Sequence, residues 1–290
     1  MGVRENMTYV RPDLIVQQMV ETGVRKAALP ARQLVLRGFL GGALLAFATT
    51  LAFQVALETT PIVGALLFPV GFVMIVLLGM ELVTGNFALI PLAVNERKTT
   101  MGSMLANWGW VTVGHLLGCA VYACLYGIAV TSMGSNMDAA MAQRLIQAAE
   151  AKTIAYEALG ASGWGIVFVK AILCNWMVTM GVVMGMTSGS TSGKIVAMWL
   201  PILTFFAQGF EHAVVNMFVI PAGMMLGADV TVADWWLWNQ IPVLLGNLVG
   251  GLLFTGMAVY PAHRVRAASD AKPAASAAAL PTAGQAVEAK

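Results

Sequence analysis

The chain has 290 residues, of which 59% are hydrophobic and only 10% charged, with a formal net charge of +2. Soluble domains average about 25% charged residues, so this composition excludes an ordinary soluble domain and reads as a polytopic membrane protein. The small net charge and the scatter of the basic residues exclude a nucleic-acid partner, and three cysteines in apolar runs (Cys119, Cys124, Cys174) read as small buried hydrophobes and not as a disulfide framework.

The first thirty residues are polar and mixed in charge, with no apolar core of the kind a signal peptide carries. Within this N-terminal segment, 1–35, residues 13–29 place Leu14, Val16, Val20 and Val24 among polar neighbours. That pattern predicts a short amphipathic helix lying on the cytoplasmic membrane surface. A membrane helix needs about 20 mostly apolar residues, and six such runs fill a channel domain at 36–260. They are 36–57, 62–94, 104–130, 164–186, 195–226 and 236–260. The second and fifth are too long and too interrupted for one simple span. The tail, 261–290, turns Ala/Ser/Pro-rich from Ala267 and is expected to be disordered.

Orientation follows from Lys and Arg in the short loops. With six spans, Arg4, Arg11, Arg25, Lys26 and Arg32 share a side with Arg97, Lys98, Lys194, Arg264 and Arg266. The other side receives Glu58, the connection with Arg144 and Lys152, and Asp229 and Asp234. Both termini are therefore expected in the cytoplasm of a plasma (inner) membrane protein. Trp235, Trp236 and Trp238 form an interfacial belt where the sixth span begins outside.

The chain also repeats itself. "ELVTGNFALIP" from Glu81 matches "EHAVVNMFVIP" from Glu211, with Asn86 and Asn216 five residues on and Pro91 and Pro221 closing each. "NWGWVTVGHLLG" from Asn107 matches "NQIPVLLGNLVG" from Asn239, each with a G-x-x-x-G pair. The repeats cover about 36–131 and 164–260. Three spans per half is an odd number, so the halves cross the membrane in opposite senses, an inverted repeat. The overlong spans then read as half-helices joined by unwound loops at "GMELVTGN" and "QGFEHAVVN". Unwound backbone at membrane depth is tolerated where it lines a cavity or is buried in protein.

His212 stands in the second break. An ionisable residue inside a span is a functional-site hypothesis, because burying it is costly. Histidine exchanges protons near neutral pH, and a small anion that gains a proton no longer bears the full desolvation cost of its charge. Glu211 has a twin at Glu81, whereas His212 has only Leu82. The two carboxylates would repel an anion, so they are read as structural at the breaks, turned from the pore onto backbone N–H groups or neighbouring helices, together with Asn86 and Asn216.

"ELVTGN", "KAILCNWMV", "SGK", "GFEHAVVNMFVIPAG" and "IPVLLGNLVGG" together resemble the formate/nitrite transporter family over roughly 37–260. The wording "TGNFALIPLA" and "NWGWV" is closer to its nitrite and bicarbonate branch. The resemblance implies an all-α, aquaporin-like protomer with one pore, a homopentamer in the bilayer, no cofactor, and proton exchange at the central histidine. It implies that Thr84 contacts that histidine or the substrate, a helix-capping hydroxyl being the plainer reading. Asn175 and Asn247 would lie by the pore or bond across helices. Phe68, Phe72 and Phe205 would form the apolar constriction, with Leu82 and Val83 closing its cytoplasmic side. Lys152 would draw anions in from outside; Lys170 is the alternative basic residue, read more readily as facing a partner deep in the fourth span. The substrate expected is a small monovalent weak-acid anion, nitrite or formate, with bicarbonate, hydrosulfide or an aquaporin-like neutral solute as alternatives. Nothing in the sequence resembles a nucleophile–base pair, a phosphate loop or a metal cluster, so an enzyme is not expected.

Overall fold

A computed structural model describes residues 9–264. Arg4, Arg266 and the tail from Ala267 lie outside the described residues. Within them the chain is helical, with a single isolated bridge between Tyr9 and Ser188. Helix α1 spans Pro12–Ala27, α2 Ala31–Glu58, α3 Pro61–Leu77, α4 Val83–Asn95 and α5 Met101–Val130. After a loop come α6 at Ala140–Lys152, the single turn α7 at Ile154–Glu157, α8 at Ala161–Gly185, α9 at Thr191–Ala207, α10 at Ala213–Leu226 and α11 at Val232–His263. By length and composition, α2, α5, α8 and α11 can each cross a membrane, whereas α3, α4, α9 and α10 are shorter apolar helices. The second and fifth apolar runs are each broken in two, at the segments where the sequence places the interruptions.

Both breaks are built by the same device. Gly79 and Gly209 have φ of +66° and +65°, a left-handed conformation that glycine adopts without a Cβ penalty. Beyond each, a backbone amide reaches back to the preceding helix: Met80 N–H donates to the Ile75 carbonyl at 2.9 Å, and Phe210 N–H to the Phe205 carbonyl at 3.2 Å. This six-to-one bond closes a Schellman-type end. Three non-helical residues follow, the last of each, Leu82 and His212, in an extended conformation, and α4 and α10 begin at Val83 and Ala213.

The two halves pack alike. Helix α2 lies along α5, and α8 along α11. A Cβ on Gly118 would run into the Phe39 carbonyl, and one on Gly250 into the Ile172 carbonyl, so the paired G-x-x-x-G glycines allow backbones to touch. Gly118→Ala should destabilise the protein by about 1–3 kcal/mol through overpacking against rigid backbone. Gly109→Ala, on the same helix with nothing within 4 Å of the new carbon, should be close to neutral. Thermal unfolding in detergent checks the pair; equal melting points would contradict this packing.

Two features depart from the sequence-based expectation. The apolar face of α1, with Ile15, Val16, Met19 and Val20, is buried against Leu89, Leu92 and Val183 of the protein itself, not laid on a lipid surface. Burial on α4 removes the same apolar area from water that a bilayer would. The segment read only as a connection contains α6, whose Met141, Ala142, Leu145, Ala148 and Ala149 recur at helical spacing and pack on α10. Helix α6 therefore occupies in the second half the place α1 holds in the first.

Candidate functional site

The first turns of α4 and α10 meet at the centre of the molecule, where Thr84 Oγ1 lies 3.0 Å from His212 Nε2. His212 is the N-cap of α10, and its Nδ1 accepts the Val215 N–H at 3.3 Å. A backbone N–H can only donate, so Nδ1 is an acceptor and, in the neutral ring, Nε2 carries the hydrogen. Thr84 Oγ1 then accepts from Nε2–H and keeps its own hydrogen free, since no other hydrogen bond of that hydroxyl occurs among the described residues. Thr84 does not cap its helix: the N-cap is Leu82, which has no side-chain cap. Two helix N-termini converging here place positive backbone dipole ends on one point.

The asparagines bond across helices. Asn247 Oδ1 accepts the Ala213 N–H at 2.9 Å, while its Nδ2 donates to the carbonyls of Ala171 at 2.8 Å and Glu211 at 3.0 Å. Asn175 Nδ2 donates to the Thr84 carbonyl at 3.0 Å and to the Asn247 carbonyl. Both side chains are fully buried. Together they hold the Thr84 backbone and the two neighbours of His212, Glu211 and Ala213.

Each carboxylate heads a four-residue cluster, and the two clusters join matching residues by the same four bonds. Glu81 accepts from Lys26 Nζ at 2.9 Å and Asn86 Nδ2 at 2.7 Å; Asn86 Nδ2 also reaches Asn107 Oδ1 at 2.8 Å, and Asn107 Nδ2 returns to the Lys26 carbonyl at 2.9 Å. Glu211 accepts from Lys152 Nζ at 2.7 Å and Asn216 Nδ2 at 2.9 Å; Asn216 Nδ2 reaches Asn239 Oδ1 at 2.8 Å, and Asn239 Nδ2 returns to the Lys152 carbonyl at 2.8 Å. The carboxylates bind side chains of the terminal turns of α1 and α6, not backbone N–H groups. Lys26 was not singled out from the sequence.

Tyr156, in the turn between α6 and α8, extends the second cluster by donating to Glu211 Oε1 at 3.0 Å. Burial, and then the neighbouring Glu211 carboxylate, hold its phenol far above the ordinary value, so it stays a neutral donor. Lys170 Nζ donates to the Tyr156 hydroxyl at 3.2 Å.

Two cavities flank the centre. The larger, about 810 Å³, is lined by Phe72, Leu82, Gly85 and the α1 side, with Arg25, Lys26, Arg37 and Lys194 against Glu21 and Glu81. The smaller, about 390 Å³, is lined by Phe53, Phe205, Phe206 and His212, with Arg144, Lys152 and Lys170 against Glu211. Four cations over two carboxylates, and three over one, leave each cavity with two positive charges in excess. Aromatic rings wall the smaller cavity beside His212. Phe205 stacks beside His212 at 5.8 Å and meets Phe68 edge-on at 5.7 Å, and Phe206 stacks on Phe68 at 3.8 Å. Sequence reasoning did not select Phe206. Of the two residues expected to close the cytoplasmic side of the constriction, Leu82 lines the larger cavity, but Val83 lines neither cavity and is wholly buried.

The described residues contain no group of three or more His, Cys, Asp or Glu side chains placed to hold a metal ion.

The family model for the formate/nitrite transporter matches residues 13–261. Among curated relatives, the formate channel BtFdhC of Bacillus thuringiensis is 31% identical over 89% of this chain and 97% of its own length. An uncharacterized transporter, YrhG, of Bacillus subtilis is 34% identical over 89% of this chain and 95% of its own. Among solved structures, an FNT family ion channel superposes with a TM-score of 0.73 at 26% identity, covering 86% of this chain and 98% of that one.

Proposed function

The chain belongs to the formate/nitrite transporter family, and from that premise we propose that it passes small monovalent weak-acid anions, nitrite or formate, across the plasma (inner) membrane with proton exchange at His212. The observation that carries this reading is the His212–Thr84 pair, set where two helix N-termini meet between two cavities of excess positive charge. In the resting ring, Nε2–H and the free Thr84 hydroxyl hydrogen form two donors in series toward an approaching anion. Protonating the ring adds a hydrogen at Nδ1, which must release the Val215 amide. The anion then meets a cation and a freed backbone N–H together, which favours transfer of a proton to it. A neutral weak acid can cross the ring of Phe68, Phe205 and Phe206 without the desolvation cost of a bare charge.

The inverted six-span layout, with half-helices α3–α4 and α9–α10 as the broken second and fifth spans, is part of the same reading. The matching clusters and paired helices support it. The larger cavity then opens to the cytoplasm, as do both termini, and the assembly is a homopentamer with one pore in each protomer. The expected test substrates are formate and nitrite, with bicarbonate and hydrosulfide as further weak acids. Glycerol and water permeation by light scattering provide the comparison. Permeation of glycerol with no uptake of any weak-acid anion would replace this reading with a neutral-solute channel.

Lys152 is balanced by Glu211, so Arg144 and Lys170 supply the unbalanced charge of the smaller cavity. Neither has a carboxylate within 4 Å among the described residues, and each stands over an aromatic ring instead, Arg144 over Phe53 at 4.8 Å and Lys170 over Tyr156 at 5.5 Å. Arg144→Ala should slow uptake from that side several-fold at low ionic strength. The loss should largely vanish near 1 M salt, where the screening length has shrunk to about 3 Å. A loss independent of salt would contradict a field effect.

A further inference from the structure

The mechanism above leaves one buried histidine unused. His115, in α5, is fully buried. Its Nε2 accepts the Val83 N–H at 3.1 Å, and its Nδ1 lies 2.7 Å from the Gly38 carbonyl. Val83 is the first residue of α4, immediately before Thr84. The Val83 amide forces Nε2 to be an acceptor, so Nδ1 carries the hydrogen and donates it to Gly38.

The internal repeat explains what this ring does. His115 stands eight residues after Asn107, as Asn247 stands eight after Asn239, and each follows the first glycine of its G-x-x-x-G pair. Asn247 accepts from Ala213, the first residue of α10, and donates to Ala171 of α8. His115 accepts from Val83, the first residue of α4, and donates to Gly38 of α2. One acceptor takes an orphan amide at a half-helix start, and one donor ties it to the first membrane-length helix of the same half. Two different side chains perform the same pair of bonds.

We propose that His115 is a positioning residue for the Thr84–His212 pair, acting as a neutral imidazole that fixes the first turn of α4 from outside the helix. Leu82 offers no side-chain cap, so without His115 the Val83 amide would be left buried and unpaired. Relaxation of that turn moves the Thr84 hydroxyl away from Nε2 of His212. The ring serves as donor and acceptor, and its charge plays no part. The role rests on the anion-channel reading for its transport consequence, and on geometry alone for the arrangement itself.

The test uses the full-length protein in lipid. Nitrogen NMR of the three histidines should show His115 neutral with hydrogen on Nδ1, opposite to His212 with hydrogen on Nε2. His115→Gln keeps one acceptor and one donor at similar reach, and should hold the His212 signal in place and formate or nitrite uptake within about threefold of the native protein. His115→Ala should shift the His212 signal and lower uptake about tenfold, the scale of losing a group that orients a functional side chain. Hydrogen on Nε2 of His115 would overturn the arrangement. An unmoved His212 signal in a folded His115→Ala protein, or a glutamine variant as impaired as the alanine one, would overturn the positioning role. Native protein that takes up no weak-acid anion would defeat the channel reading instead, while the nitrogen signals would still decide the His115 arrangement.

Discussion

Replacing His212 by Ala is expected to slow formate and nitrite uptake by about 10- to 100-fold, the equivalent of the 1.5–3 kcal/mol that a hydrogen bond to a charged group contributes. The substitution also removes the cap on Val215, and cap losses of about 1 kcal/mol are typical. Stability and transport must therefore be read separately. His212→Asn retains an acceptor near the N-terminus of α10 and should recover most of the stability. It cannot exchange a proton near neutral pH, so it should not recover transport. The native protein should take up its substrate faster as the medium is acidified, because both the imidazole and the weak acid gain protons in that direction. In either variant the imidazole's share of that dependence should disappear. Thr84→Val would keep the shape of the pair and remove its hydroxyl, with a smaller loss of the same kind.

Breaking either Lys–Glu cluster should have the next largest effect. The Glu211 side chain is 3% exposed and that of Lys152 19%. Removing one partner of such a pair leaves an uncompensated buried charge and costs about 3–5 kcal/mol. Glu211→Ala also strips the acceptor from Asn216 Nδ2 and Tyr156, so it belongs at the upper end. Lys152→Ala should fail through misfolding as much as through lost attraction for anions. The double variant Lys152→Met, Glu211→Gln removes both charges, keeps an acceptor for Asn216, and should recover much of the yield of folded protein. Lys26→Ala and Glu81→Ala should behave alike, because the first cluster has the same four bonds. A Lys152→Ala protein as stable as the native one, yet slow in uptake, would show that this ammonium acts on the anion directly.

The parts of this site that could be read from the sequence are those encoded locally. Gly79 and Gly209, the Glu–Asn spacing and the adjacent Glu211–His212 all lie within short windows, and the two breaks fall there. The all-helical fold and its broken spans were legible for the same reason: apolar run length is a local property. What escaped was long-range. Lys26 and Lys152 are separated from their carboxylates by 55 and 59 residues, and no local pattern pairs them. Helix α6 was hidden because its polar face made the segment look like a connection, although its small apolar residues keep helical period. His115 was not singled out, yet the aligned "GHLLG" and "GNLVG" place it where Asn247 stands. A histidine replaced in the repeat by an asparagine is more readily a donor–acceptor bridge than a proton carrier.

The central claim is that a weak-acid anion passes through the Thr84–His212 pair. It is tested most directly by formate and nitrite uptake into proteoliposomes of native and His212→Ala protein, measured across neutral and mildly acidic pH at a fixed membrane potential. The account predicts native uptake that rises on acidification and a slow variant whose pH dependence is flattened. Uptake by the variant with the native rate and the native pH dependence would contradict it.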